Sequence, residues 1–182
     1  MNKKYLLAGL FAASLGSTSI ATADAGNAYA GVSAGNASPD SSGFDSATGW
    51  KIFGGYKLNE ILSVEGGYTS FGEMDGPNVF RGMFGGSSRS VEPTGFEVAA
   101  VGNFPINSQL SLFGKVGLLA WDIETSVSDS AGSFSDTGTD VFFGLGGQYE
   151  ISGNLALRAN WESYSMDSFD IDFLSASAVF GF

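Results

Sequence analysis

The sequence predicts an all-β fold, an eight-stranded antiparallel up-and-down barrel that spans a membrane. Three observations carry this expectation. Segments of about ten residues with period-two alternation recur eight times, which is the length of a tilted membrane-spanning strand. The connections between them alternate between tight and long. Charged residues near mid-strand share a face with small residues, so the apolar face must point outward, the reverse of a soluble barrel with a greasy pocket.

In chain order, Lys3 and Lys4 precede an apolar run from Tyr5 to Leu15, then a Ser/Thr/Ala stretch with small residues at Ala21, Ala23 and Ala25. That order is a secretory signal peptide, residues 1–23, with cleavage after Ala23 or Ala25. Its apolar core is too short to span a bilayer as a helix. Residues 24–182 are then a single barrel domain, and the length leaves no room for a second one.

The strands read as Ala28 to Ala37, Trp50 to Leu58, Leu62 to Phe71, Gly95 to Phe104, Gln109 to Asp122, Thr139 to Glu150, Asn154 to Tyr164 and Asp172 to Phe182. Asn59 to Ile61, Pro105 to Ser108 and Ile151 to Gly153 are tight turns. Ser38 to Gly49, Gly72 to Thr94, Ile123 to Gly138 and Ser165 to Ile171 read as long loops rich in Gly, Ser and Asp. Short turns at one end and long loops at the other mark the periplasmic and extracellular ends of a barrel, and an even strand number puts both termini in the periplasm.

Parity assigns the faces. The third strand sets Leu62, Val64, Gly66 and Tyr68 against Ser63, Glu65, Gly67 and Thr69; the seventh sets Leu155, Leu157, Ala159 and Trp161 against Ala156, Arg158, Asn160 and Glu162. A Lys or Arg turned to lipid at mid-membrane costs about 2–4 kcal/mol. Lys115 and Arg158 must therefore face the lumen, which sets the register of their strands. Outward aromatics lie near strand ends, as an interfacial girdle requires: Tyr56, Phe104, Tyr149 and Phe182 at the turn end, and Trp50, Tyr68 and Trp161 at the loop end. Phe113 and Trp121 fall on the lumen side, where they read as filling.

Composition excludes several functions. With no His, Ser-His-Asp and Cys-His chemistry is absent, as are His-ligated zinc and iron sites; with no Cys, so are disulfides and thiolate metal sites. No catalytic, cofactor-binding or metal site is expected. A net charge of -11 repels nucleic-acid phosphates. The glycine pairs Gly54-Gly55, Gly66-Gly67, Gly85-Gly86 and Gly146-Gly147 lack a phosphate-loop context.

The stretch GWKIFGGYKLNEILSVEGGYTSFG, Gly49 to Gly72, resembles the second and third strands of the OmpA-type transmembrane domain, a group of small eight-stranded outer-membrane barrels. The resemblance continues through LSLFGKVGLLAW (Leu110 to Trp121), GLGGQYEISGNLALRANWE (Gly144 to Glu162) and the terminal strand, and leaves the long loops unmatched. The family's periplasmic peptidoglycan-binding domain has no counterpart in this chain. The resemblance implies a lumenal ion-pair network with a carboxylate at Glu65 and bases at Lys115 and Arg158. Where the family can have a lysine on the fourth strand stands Val101, and where it can have a glutamate on the sixth stands Gln148; Glu97 and Glu162 are additional acids.

The terminal strand FLSASAVFGF, with Phe180 and Phe182 on its apolar face, resembles the signal read by the barrel assembly machinery. The expected partners are outer-membrane lipids and lipopolysaccharide, that machinery during biogenesis, and an unidentified extracellular partner of the long loops, with the barrel itself a monomer. Function is expected to be structural or surface-interacting behind a plugged lumen. The alternative is a narrow or gated pore for ions and small solutes, against which stands the rule that open aqueous channels need roughly 16 strands.

Overall fold

The computed structural model describes residues 27–40, 45–75, 89–127, 134–166 and 169–182; the expected signal peptide, residues 1–23, lies outside them. Among the described residues nine strands are formed: β1 (Ala28–Pro39), β2 (Ala47–Lys57), β3 (Leu62–Ser70), β4 (Met74–Asp75), β5 (Arg89–Pro105), β6 (Leu110–Val127), β7 (Phe134–Ser152), β8 (Leu155–Met166) and β9 (Phe169–Gly181). They pair in the order β3-β2-β1-β9-β8-β7-β6-β5-β4, and β3 also pairs with β5, which closes the sheet on itself. β3 and β4 are two pieces of one barrel strand. β3 leaves β5 at Ser70↔Thr94 and β4 rejoins it at Met74↔Val91, so the barrel has eight antiparallel strands.

The interruption falls at Phe71, Gly72 and Glu73. Gly72 has φ +81°, and a Cβ placed there would run into the Thr48 carbonyl oxygen. Only glycine meets both conditions without strain.

Alternation along the strands is the alternation of the two faces. Ile52, Val64, Val98, Val116, Leu145 and Leu157 are exposed on the outside, whereas Lys51, Ser63, Glu97, Lys115 and Arg158 are buried inside. A continuous apolar exterior of this extent has no stable place in water and marks a lipid-facing belt. At the loop end the outward rings form runs across neighbouring strands: Trp50, Tyr68 and Phe96 lie 5.7 and 5.0 Å apart in succession, and Phe143 meets Trp161 at 5.7 Å.

Several strands run beyond the ends the alternation predicts. β5 begins at Arg89 rather than Gly95, β6 ends at Val127 rather than Asp122, and β7 begins at Phe134 rather than Thr139. The expected loop from Ser165 to Ile171 is mostly strand, leaving only residues 167–168 between β8 and β9. Past the lipid boundary both faces tolerate polar side chains, so period two fades from the sequence. The backbone ladder continues regardless, since each N–H and C=O still needs a partner.

Candidate functional site: a chain of charges in the lumen

Six ionisable side chains from five strands meet inside the barrel, and their order alternates in sign. Glu97 of β5 lies 3.0 Å from the Lys51 ammonium of β2, and Lys51 lies 2.6 Å from Glu162 Oε2 of β8. Glu162 Oε1 is 2.9 Å from Lys115 Nζ of β6, which donates to Glu65 Oε2 of β3, also at 2.9 Å. Glu65 Oε1 accepts from Arg158 Nη1 of β8. The chain therefore runs Glu97, Lys51, Glu162, Lys115, Glu65, Arg158. All six side chains are at most 3 % exposed, so opposite charges in direct contact are the condition for burying them at all.

Small residues on intervening strands make these contacts possible. Gly144 of β7 is the register neighbour of both Lys115 and Glu162, so the two side chains reach each other over a residue with no side chain. Gly146 likewise leaves room for the Phe113 ring and Gly55 for the Tyr29 ring. Those rings lie against the Arg158 guanidinium, at 4.7 Å for Phe113 and 5.6 Å for Tyr29, with Phe53 at 5.3 Å. A guanidinium buried over aromatic faces is stabilised by the ring quadrupoles.

Neutral groups complete the chain at both ends. Tyr164 accepts from Lys51 Nζ at 2.8 Å and donates to Glu97 Oε2 at 2.9 Å, while Thr69 donates to the same Glu97 oxygen at 3.2 Å. Tyr29 donates to Glu65 Oε1 at 2.9 Å. Gln148 Oε1 accepts from both Nε (3.1 Å) and Nη2 (2.9 Å) of Arg158, so an amide oxygen does the work that a carboxylate at this position would do. Glu162 Oε1 has the Lys115 ammonium close enough for charge contact, although the angle is not that of a hydrogen bond. Beside the chain, Ser33, Ser177 and Asn160 form a second polar group through bonds of 2.7 and 2.8 Å.

Toward the loop end lies an apolar cluster that includes Phe71, Phe142, Tyr164, Phe173, Leu119, Trp121 and Ile171. Tyr164 stacks on Phe142 at 4.8 Å and meets Phe71 edge-on at 4.9 Å. Trp121, at its edge, donates its indole N–H to Asp140 at 2.6 Å. Toward the turn end, Tyr29, Lys57, Ser63, Asn103, Gln148 and Arg158 are among the residues lining an opening of about 60 Å³, room for a few waters.

The five lumenal residues singled out from sequence, Glu65, Glu97, Lys115, Arg158 and Glu162, all lie in this chain. Lys51 was missed. It has the parity of Phe53, and the cost of a lysine in lipid, applied to Lys115 and Arg158, applies equally to it. Lys51 also supplies the third base that Val101, wholly buried and apolar, does not. Tyr29 and Tyr164 carried no signal of their own, since a tyrosine gains its role only from what stands opposite, whereas Gln148 was marked by the resemblance as standing where the family can have a glutamate. Phe180 and Phe182 lie far from the chain, exposed on the outer face with rings 5.5 Å apart.

Residues 7–182 match the family model for the outer membrane protein beta-barrel domain. Outer membrane protein A of Klebsiella aerogenes is 32 % identical over 119 residues, covering 65 % of this chain and 32 % of that protein. The chain thus spans about a third of the length of the curated relatives it matches. Among solved structures, the attachment invasion locus protein Ail of Yersinia pestis, in complex with the heparin analogue sucrose octasulfate, superposes with a TM-score of 0.60 at 19 % identity, over 86 % of this chain and 97 % of that one. Neisserial surface protein A does so with a TM-score of 0.59 at 17 % identity, over 85 % and 96 %. These likenesses concern the eight-stranded fold, and the match of the family model extends to nearly the whole sequence. The chain belongs to the outer-membrane β-barrel domain family, in its small, OmpA-like, eight-stranded form.

Proposed function

We propose that this protein is a structural and surface-interaction barrel of the cell envelope, with a plugged lumen and no catalytic activity. The observation that supports it is the alternating six-charge chain lying beneath the aromatic cluster. Three carboxylates and three bases neutralise one another, and the rings of Phe71, Phe142, Tyr164 and Phe173 occupy the space above. A hydrated ion crossing this path must displace both, whereas eight strands enclose only enough room for side chains.

In this reading residues 1–23 are a removed signal peptide, both termini and the tight turns face the periplasm, and the longer connections reach the surface. Phe180 and Phe182 are the end read by the assembly machinery, and the barrel sits as a monomer among outer-membrane lipids and lipopolysaccharide. The surface partner belongs to the loops. A sulfated polyanion like the one bound to Ail is not the ligand proposed, because the excess of acidic over basic residues lies entirely outside the neutral lumenal chain and grows when Lys3 and Lys4 leave with the signal peptide.

Planar-bilayer recording of refolded residues 24–182 tests the reading. Little or no stable conductance is expected. Large, long-lived openings in most recordings would replace it with the narrow-pore alternative.

A further inference from the structure

All four strands that run toward the turn end finish alike on the outer face: an aromatic, one intervening residue, then another large apolar residue. These endings are Tyr56-Lys57-Leu58, Phe104-Pro105-Ile106, Tyr149-Glu150-Ile151 and Phe180-Gly181-Phe182. Tyr56, Phe104 and Tyr149 are the expected girdle, which in the terminal strand was expected at Phe182, whereas by position Phe180 is the residue level with the other three. Leu58, Ile106 and Ile151 beyond it are not expected, because turns that stand in water favour polar side chains. Leu58, Ile106, Ile151 and Phe182 are nevertheless 54, 49, 51 and 62 % exposed, and Ile61 in the first turn is 63 % exposed.

The turns themselves supply a second, independent observation. Asn59 Oδ1 accepts from the amides of Ile61 (2.9 Å) and Leu62 (2.8 Å), and the Leu62 carbonyl accepts from those of Leu58 and Asn59. The next turn repeats this arrangement: Asn107 Oδ1 accepts from Gln109 and Leu110, and the Leu110 carbonyl from Ile106 and Asn107. Each turn thus satisfies four of its amides internally, those of the tip residues Glu60 and Ser108 apart. Few amides are then left to need water, which lowers the cost of seating the turns in a partly dehydrated surrounding.

We infer that the turn end is seated in the bilayer interface, the ring Leu58, Ile106, Ile151 and Phe182 anchoring it in phospholipid beyond the aromatic girdle. The ring continues the lipid-facing belt: Leu58, Ile106 and Phe182 directly follow the last residues of β2, β5 and β9, and Ile151 lies near the end of β7, where the register shifts between Glu150 and Ser152. Two residues along a tilted strand carry it about 5 Å further along the membrane normal. The lipid is that of the inner leaflet, which rests on the orientation proposed above.

The chain has no cysteine, so single-cysteine variants report cleanly. Leu58→Cys, Ile106→Cys and Ile151→Cys, each carrying a nitroxide and reconstituted alone in phosphatidylcholine vesicles, are compared with Ser108→Cys and Gly153→Cys at the turn tips. Collision with oxygen relative to an aqueous nickel chelate is expected to be several-fold higher at the three ring positions. Equal ratios at ring and tips would overturn the inference. Because three positions are read separately, one variant that fails to fold leaves two that decide. Orientation is read apart from this: labelling of Gly153→Cys by an impermeant maleimide on intact cells would overturn the leaflet assignment and the proposed orientation, while the collision ratios alone decide the seating.

Discussion

Lys51 shows what a single side chain does in this lumen. It stands between Glu97 and Glu162, with the Tyr164 and Phe173 rings within 5.5 and 5.9 Å of its ammonium. Taking six charges out of water costs more than isolated pairs return, and the alternating order offsets that cost by giving every interior member two opposite neighbours. Lys51→Met leaves Glu97 without its base and Glu162 with Lys115 alone. It should destabilise the barrel by about 3–5 kcal/mol, measured by urea unfolding from lipid vesicles. Adding Glu162→Gln to Lys51→Met should cost less than the sum of the two single changes, because residues sharing a contact do not add. Strict additivity would mean that the 2.6 Å contact contributes nothing to stability.

At the scale of elements, two strands depend on local features that can be removed singly. The β3–β4 strand bends at Gly72, where a Cβ would meet both a left-handed backbone and the Thr48 carbonyl. Gly72→Ala should lower stability by about 1–3 kcal/mol, while Gly153→Ala, with nothing near its Cβ, should be close to neutral in the same unfolding measurement. In the terminal strand, Phe180 and Phe182 touch none of the lumenal chain. Replacing both with Ser should impair assembly and leave export intact, read as reduced outer-membrane yield and lost heat-modifiable migration. Normal yield and migration would remove the assembly role proposed for these rings. The two experiments separate folding stability from delivery, since Gly72 acts in the finished barrel and the terminal rings face outward.

At the scale of the whole molecule, the charge chain and the aromatic cluster occupy the lumen in series. Breaking the chain alone should therefore leave the barrel electrically quiet: Glu65→Gln with Arg158→Met should show no more openings in planar bilayers than the unaltered protein. Trimming Phe142 and Phe173 to Ala, which removes rings from the cluster above, should raise the frequency of openings. The reverse ranking would make the ion chain the barrier. The sequence by itself determined the closed all-β fold and the outward apolar face, and its parity set Glu65, Lys115, Arg158 and Glu162 on the lumenal side, because lipid outside and side chains inside impose a strict period of two and forbid a charge on the wrong face. Glu97 was singled out only beside the family resemblance. The sequence could have yielded Lys51 by the same parity. It could not show where the strands end, since beyond the lipid both faces admit polar residues while the hydrogen-bond ladder runs on. Nor could it say which base meets which acid. That was decided by register and closure, which set Gly144 between Lys115 and Glu162, bring Tyr29 and Arg158 to Glu65, and carry Lys51 from the second strand to acids on the fourth and seventh, neighbours that exist only once the sheet has curled and closed.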